Sequence, residues 1–237
     1  TRLDEELTIY PSLVHLGHAL IRRAFSLATI VPGVTTTTDL EWWLRQELAT
    51  MGLPCWFQPI IDRQPAIPGQ EPTAGDTLLP GDLVHCDVGF HYLGLATDQQ
   101  QNAYVLRPGE VRPPAFLEQL LSDANRIQDI HLDAMAPGHT GNEVLARALA
   151  QAGEEKLGAT IYTHPLGTHG HGAGPTIGLW DQQGGVPGRG DYRLHDHTCY
   201  AIELNAARPV EELGGRVIRM AVEEDAALVG GKMRWLD

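Results

Sequence analysis

Two aspartates eleven residues apart, Asp87 and Asp98, lie in the stretch LVHCDVGFHYLGLATD, residues 83–98. Side chains alternate across a strand, so Leu83, His85, Asp87 and Gly89 share one face, and Val84, Cys86 and Val88 share the other. The second face is apolar enough to sink into a core. That placement carries Asp87, with His85 two residues away, into a mostly buried setting. A buried carboxylate without a partner is costly, and a cation is its strongest partner. Asp98 reads either as a second ligand or as an ordinary turn residue.

Other segments offer groups of matching chemistry. YTHPLGTHGHGAGP, residues 162–175, sets His164, His169 and His171 among glycines that let the backbone approach a ligand closely. Glu203 sits inside the apolar strand YAIELN, residues 200–205, on the face of Ala201 and Asn205. An acidic triplet, Glu223-Glu224-Asp225, enters an apolar run, so one of the two glutamates faces inward and the other outward. Hard carboxylate oxygens with one imidazole suit manganese, cobalt, iron(II), magnesium or zinc, not a thiolate-type structural zinc. Four carboxylates can hold two cations about 3.5–4 Å apart, a pair that activates water and polarises a carbonyl. That is hydrolytic chemistry.

The elements that must position these groups are legible as patterns. Leu13, Leu16, Leu20, Ala24 and Leu27 predict an amphipathic helix from Asp4 to Ala28, broken near Pro11. Thr38 with Glu41 predicts a capping box opening a helix from Asp39 to Met51. Residues 55–61 read as a strand, and the proline- and glycine-rich stretch 62–81 as a long functional loop. A second helix is expected over Pro113–Ala134, with Leu117, Leu120, Leu121, Ala124, Ile127 and His131 inward. A shorter one follows from Thr140 and Glu143, another capping box, to about Gly153. Strands are expected at 160–163, 198–205, 216–222 and 226–229. Helix pair then strands, twice over, predicts an α+β fold with helices covering a curved antiparallel sheet in two similar halves.

The chain has 237 residues, 43% hydrophobic, and reads as one catalytic domain over residues 1–237. Its net charge of −13 argues against nucleic-acid binding, and no run is long and apolar enough for a membrane span. Three cysteines, Cys55, Cys86 and Cys199, predict reduced core thiols and a cytoplasmic setting.

Taken in order, these residues resemble the M24-type metallopeptidase family of methionine aminopeptidase, Xaa-Pro aminopeptidase and prolidase, with its pita-bread fold. The family's Asp-x-Gly with a second Asp eleven residues on fits Asp87, Gly89 and Asp98. Its His-x-x-Gly segment fits His171 to Gly174, with His169 as the alternative ligand. Its Ile-Glu-Pro strand looks like Ile202-Glu203-Leu204, and its Glu-Asp-x-x-Leu-Val segment matches residues 224–229. The resemblance implies two divalent metal ions (manganese, cobalt, zinc or iron) held by Asp87, Asp98, His171, Glu203 and Glu224. Glu203 falls at the family's acid/base position.

Two family histidines have no counterpart in this register. Gly178 stands where one follows the ligand histidine by seven residues, and the loop 62–81 holds no histidine to match the other. His169, His164 and His85 are the expected stand-ins. The implied activity is hydrolysis of an N-terminal amide bond of a small peptide, Xaa-Pro substrates first, and the family allows a homodimer. The alternatives are a metal-retaining binding module without peptidase activity and a creatinase-like C–N hydrolase. The start at Thr1 fits either an excised catalytic domain that has lost an N-terminal domain or a short relative.

Overall fold

The computed structural model describes residues 1–70 and 77–237, so part of the expected loop 62–81 lies outside the described residues. The first half runs α1 (Asp4–Ala24), α2 (Thr37–Thr50), β1 (Ile60–Pro65), β2 (Asp82–Val88), β3 (His91–Tyr92), β4 (Leu95–Ala96) and β5 (Gln99–Tyr104). The second runs α3 (Ala115–Ala134), α4 (Gly141–Glu154), β6 (Ala159–Gly167), β7 (Gly170–His171), β8 (Thr198–Val210), β9 (Arg216–Val229) and β10 (Lys232–Trp235). The expected α+β order of helix pair then strands, twice, is what forms.

Local chemistry explains the departures. Pro11 lies inside α1 without breaking it. The apolar face of Tyr10, Leu13, Val14 and Leu20 is buried, and that burial offsets the one backbone hydrogen bond proline removes. Helix α2 starts earlier than expected because its box is Thr36 with Asp39. The Asp39 N–H donates to Thr36 Oγ1 at 3.1 Å, and the Thr36 N–H donates to Asp39 Oδ2 at 2.9 Å. The predicted box at Thr140 and Glu143 is formed, with distances of 3.1 and 2.8 Å. Strand β1 starts only at Ile60, after Pro59, which has no N–H for a ladder; Cys55 makes an isolated bridge to Phe90. Leu27 and Leu121 face solvent rather than the core.

Among the described residues, eight strands form one antiparallel sheet in the order β1-β2-β5-β9-β8-β6-β7, with β10 on β9. One core joins α1 and α2 to Val84, Cys86 and Val88; the other joins α3 and α4 to Tyr200, Ile202 and Leu204. The acidic triplet is not a turn but the middle of β9, a single strand of 14 residues.

Register then decides what meets. Directly opposed residues of antiparallel strands project to the same face. Pairings Ile60↔Asp87, Asp87↔Gln100, Gln100↔Glu223, Glu203↔Glu223 and Tyr162↔Glu203 therefore make one transverse row across six strands. The next row on that face carries Asp225, Ala201 and His164.

Candidate metal centre

Strand β2 delivers Asp87, the turn before β5 delivers Asp98, and β8 and β9 deliver Glu203 and Glu223. Strand β6 brings His164 into the same space. Ligand atoms of Asp87, Asp98 and Glu223 lie within 4.8 Å of one another, as do those of His164, Glu203 and Glu223, and those of Asp98, His164 and His171. His164 Nε2 is 3.5 Å from Asp98 Oδ2 and 3.7 Å from Glu223 Oε1. Behind this group the Asp98 N–H donates to both oxygens of the buried Asp225, at 3.3 and 3.2 Å. Gly89 is required beside Asp87, because a Cβ there would come 2.2 Å from Trp56 Nε1 and 2.5 Å from the Thr97 carbonyl oxygen.

Crowding and desolvation oppose the negative charge on these acids. Burial, opposed by the charge of His85, pushes Asp87 up to about 7. Glu203 is pushed up to about 8 by burial, against the hydrogen bond from Gln100. Asp98 and Glu223 are raised well above the carboxylate range, first by burial and then by the charges of their acidic neighbours. His164 is driven down to about 3 by burial and by His171.

Three atoms test whether a cation fits. Asp87 Oδ1, His164 Nε2 and Glu223 Oε1 are buried with no hydrogen-bond partner. His164 Nδ1 donates to the Pro165 carbonyl at 3.3 Å, which assigns the ring proton to Nδ1 and leaves a bare lone pair on Nε2. A lone pair and carboxylate oxygens aimed at one another repel. A positive ion between them turns the same geometry into coordination, so carboxylates plus one imidazole fit a divalent metal.

The structure places one expected carboxylate and the expected histidines differently from the other candidates. Glu224 projects to the opposite face of β9, where it lies 2.8 Å from His18 Nε2 and accepts a hydrogen bond from Gln101; Glu223 takes the place in the cluster. The alternation of a strand leaves room for only one of two adjacent acids on each face. His164 is buried among the carboxylates, while His171 lies beside it with ring centroids 4.0 Å apart and planes tilted by 53°, and opens to solvent. The His-x-x-Gly spacing is met equally by His164-Pro165-Leu166-Gly167, and His171 then falls at the seventh position after it. His169 sits exposed at the turn between β6 and β7, outside the cluster. His85 has both ring nitrogens engaged, by Asp62 and Gln100, instead of free to meet a reacting group. At Gly178, with φ of +73°, a Cβ would approach the Ile161 carbonyl oxygen to 2.1 Å, so no side chain fits there.

Gln100 and Asp225 are members of the site that composition did not flag. Three consecutive glutamines at the start of a buried strand, Gln99 to Gln101, are the signal that could have found the first.

Two cavities flank the cluster. One of about 560 Å3 is lined by His85, Asp87, Glu203, Asn205, Trp180 and Arg219. The other, about 490 Å3, is lined by Tyr162, His164, His171, Arg189, Tyr192 and His195. The positive charge of Arg189 bears on both His171 and Tyr162.

Residues 14–229 match the pattern of Metallopeptidase family M24. No curated protein matches the chain. Among solved structures, an X-Pro aminopeptidase from Thermotoga maritima superposes with a TM-score of 0.72 at 18% identity, over 99% of this chain and 61% of that one. A prolidase from Pyrococcus furiosus gives 0.71 at 17% identity, over 99% and 64%. A methionine aminopeptidase from Rickettsia prowazekii gives 0.71 at 14% identity, over 100% and 98%. The chain thus spans about three fifths of the X-Pro aminopeptidase and prolidase chains and nearly all of the methionine aminopeptidase. At these identities the likeness is one of fold. Among the described residues no helix is long and apolar enough to cross a membrane.

Proposed function

The chain belongs to metallopeptidase family M24, and from that membership we propose a metal-dependent hydrolase that cleaves the amide bond after the N-terminal residue of a short peptide, with Xaa-Pro dipeptides as the leading substrates. The observation that carries the reading is His164 Nε2, a buried lone pair with no partner, facing two carboxylates at 3.5 and 3.7 Å. Asp87, Asp98, His164, Glu203 and Glu223 would hold two divalent ions of the manganese, cobalt, zinc or iron(II) type. Such ions polarise a scissile carbonyl and lower the pKa of water.

The chain's own residues divide the remaining work. Glu203 lines the first cavity and would take and return a proton. His171, beside His164 but open to the second cavity, would donate a hydrogen bond to the carbonyl oxygen as it gains charge. Arg189 faces the same cavity, and a guanidinium pairs readily with the free carboxylate of a dipeptide. The proline preference draws on the fold neighbours described as X-Pro aminopeptidase and prolidase. Three free cysteines, Cys86 and Cys199 among them buried, fit a reducing, cytoplasmic setting.

The test is turnover of Xaa-Pro dipeptides and their C-terminal amides by protein reconstituted with manganese. Free dipeptides should react at least about tenfold faster than their amides, and Arg189→Ala should erase that preference, a loss of about one charge-assisted hydrogen bond. Protein that takes up no metal would sink the reading. Metal uptake without cleavage of any amide would favour the binding module, which the lack of a histidine in residues 62–81 also supports.

A further inference from the structure

Gln100 is wedged between the two glutamates of the cluster. Its amide nitrogen carries two hydrogens, and one goes to Glu203 Oε1 at 2.6 Å and the other to Glu223 Oε2 at 2.8 Å. With both spent, the amide oxygen points away and lies 2.9 Å from His85 Nε2. An amide oxygen only accepts, so Nε2 is the nitrogen that donates. The reverse amide orientation would set its oxygen against two carboxylates. On the far side of the ring, His85 Nδ1 lies 3.3 Å from Asp62 Oδ2. A continuous chain therefore runs from Asp62 at the cavity rim through His85 to Gln100, and forks to both glutamates.

The fork has a geometric result. It ties Oε1 of Glu203 and Oε2 of Glu223 to one rigid amide plane, which fixes the rotation of both carboxylates. Glu223 Oε1 is thereby left without a hydrogen bond, 3.7 Å from the bare His164 Nε2. Asp87 and Gln100 are direct register partners across β2 and β5, and so are His85 and Asn102, so the chain lies on the same sheet face as the cluster. The His85 side chain is only 12% exposed in this position, and Gln100 is buried almost completely.

We propose that Asp62, His85 and Gln100 are positioning residues that select which oxygen of Glu203 and of Glu223 faces the metal centre. The inference rests on the metal-centre part of the reading above and is independent of the peptide substrate. None of the three needs to touch a substrate or an ion to act. Outer groups that orient ligands in this way typically govern metal affinity or activity by about 10–100-fold.

Manganese affinity, measured by calorimetric titration of metal-stripped protein, is the primary readout, with kcat and KM beside it. Gln100→Leu cuts both ties and should weaken binding by about 100-fold, and His85→Leu by about tenfold with a matching fall in kcat and KM within about twofold. His85→Gln returns an amide N–H toward Gln100 and should recover affinity to within about threefold of wild type. If His85→Leu does not fold, Asp62→Ala against Asp62→Asn carries the same contrast, since only the second keeps an acceptor for the ring. Equal affinities for His85→Leu, His85→Gln and wild type would overturn the proposal, as would equal losses in the leucine and glutamine variants. Wild type that binds manganese yet cleaves no peptide would remove the hydrolase reading, and the same ranking of affinities would still decide whether Asp62, His85 and Gln100 orient the glutamates.

Discussion

Five residues apart on β2, Asp82 and Asp87 are both withdrawn from solvent, and they have opposite fates. Asp82 receives Arg63 Nη1 at 3.0 and 3.2 Å and the Leu79 N–H at 2.8 Å. Asp87 has an oxygen with no partner and shares its space with Asp98 and Glu223. The contrast repeats on β9. Glu224 is matched by His18 and Gln101 on one face, and Glu223 crowds against other acids on the opposite face. A matched acid holds elements together. An unmatched cluster opposes the fold in isolation, and it makes sense only with a cation to share.

The largest effect expected is at the matched end. Arg63→Ala leaves the Asp82 carboxylate buried without its guanidinium and should lower unfolding free energy by about 3–5 kcal/mol in urea titration, with manganese affinity little changed. If stability is untouched, the guanidinium is not what holds Asp82 in place.

Next, the two glutamates of β9 should separate cleanly. Glu223→Gln should weaken manganese binding by more than the roughly 10–100-fold that outer groups govern and raise the melting temperature of the metal-stripped protein, because it removes an ionisable group from a crowded, desolvated cluster. Glu224→Gln should leave affinity within about twofold and lower stability by about 1 kcal/mol through the lost His18 contact. Calorimetric titration and thermal unfolding of the pair read both halves, and the reverse ranking would return Glu224 to the metal centre.

A last test sharpens the comparison among histidines. His131 in α3 is also driven down to about 3, by burial, but its Nε2 meets the Thr163 hydroxyl at 3.0 Å instead of a cluster of acids. Its folded pKa lies below the unfolded value near 6.5, so between those limits the unfolded chain binds the extra proton. Stability should then fall as pH drops from about 6.5 toward 3, by about 1.4 kcal/mol per pH unit from this group. His131→Gln should flatten that slope in urea titrations at pH 6 and pH 5; an unchanged slope would remove His131 as its source.

Residue type made most of the site legible. Asp87, Asp98 and Glu203 stand out because carboxylates inside apolar runs need an explanation, and the structure brings each of them to Glu223. Register was less legible, since a strand's faces exchange on a shift of one residue. The Glu-Asp-x-x-Leu-Val spacing pointed to Glu224, whereas pairing of Glu203 with Glu223 across β8 and β9 decides the face. The two histidine registers satisfy one spacing rule, and they are separated by the histidine that follows His164 by seven residues and by the burial of His164. Gln100 was harder to read for a different reason: a neutral amide carries no charge signal, and its importance lies in where its two hydrogens go. The helical pattern was reliable where apolar positions pack inward and failed at Leu27, beyond the end of α1, because periodicity alone does not mark where a helix stops.

The adjacency of Glu223 and Glu224 limits how this protein can be re-engineered. Any insertion or deletion in β9 that re-aims one carboxylate exchanges it with the other and breaks the His18 tie to α1 in the same stroke. Variant libraries aimed at a new metal or substrate should therefore hold the backbone of residues 223–225 fixed, and vary the cavity walls at Asn205, Arg219 and Tyr192 instead.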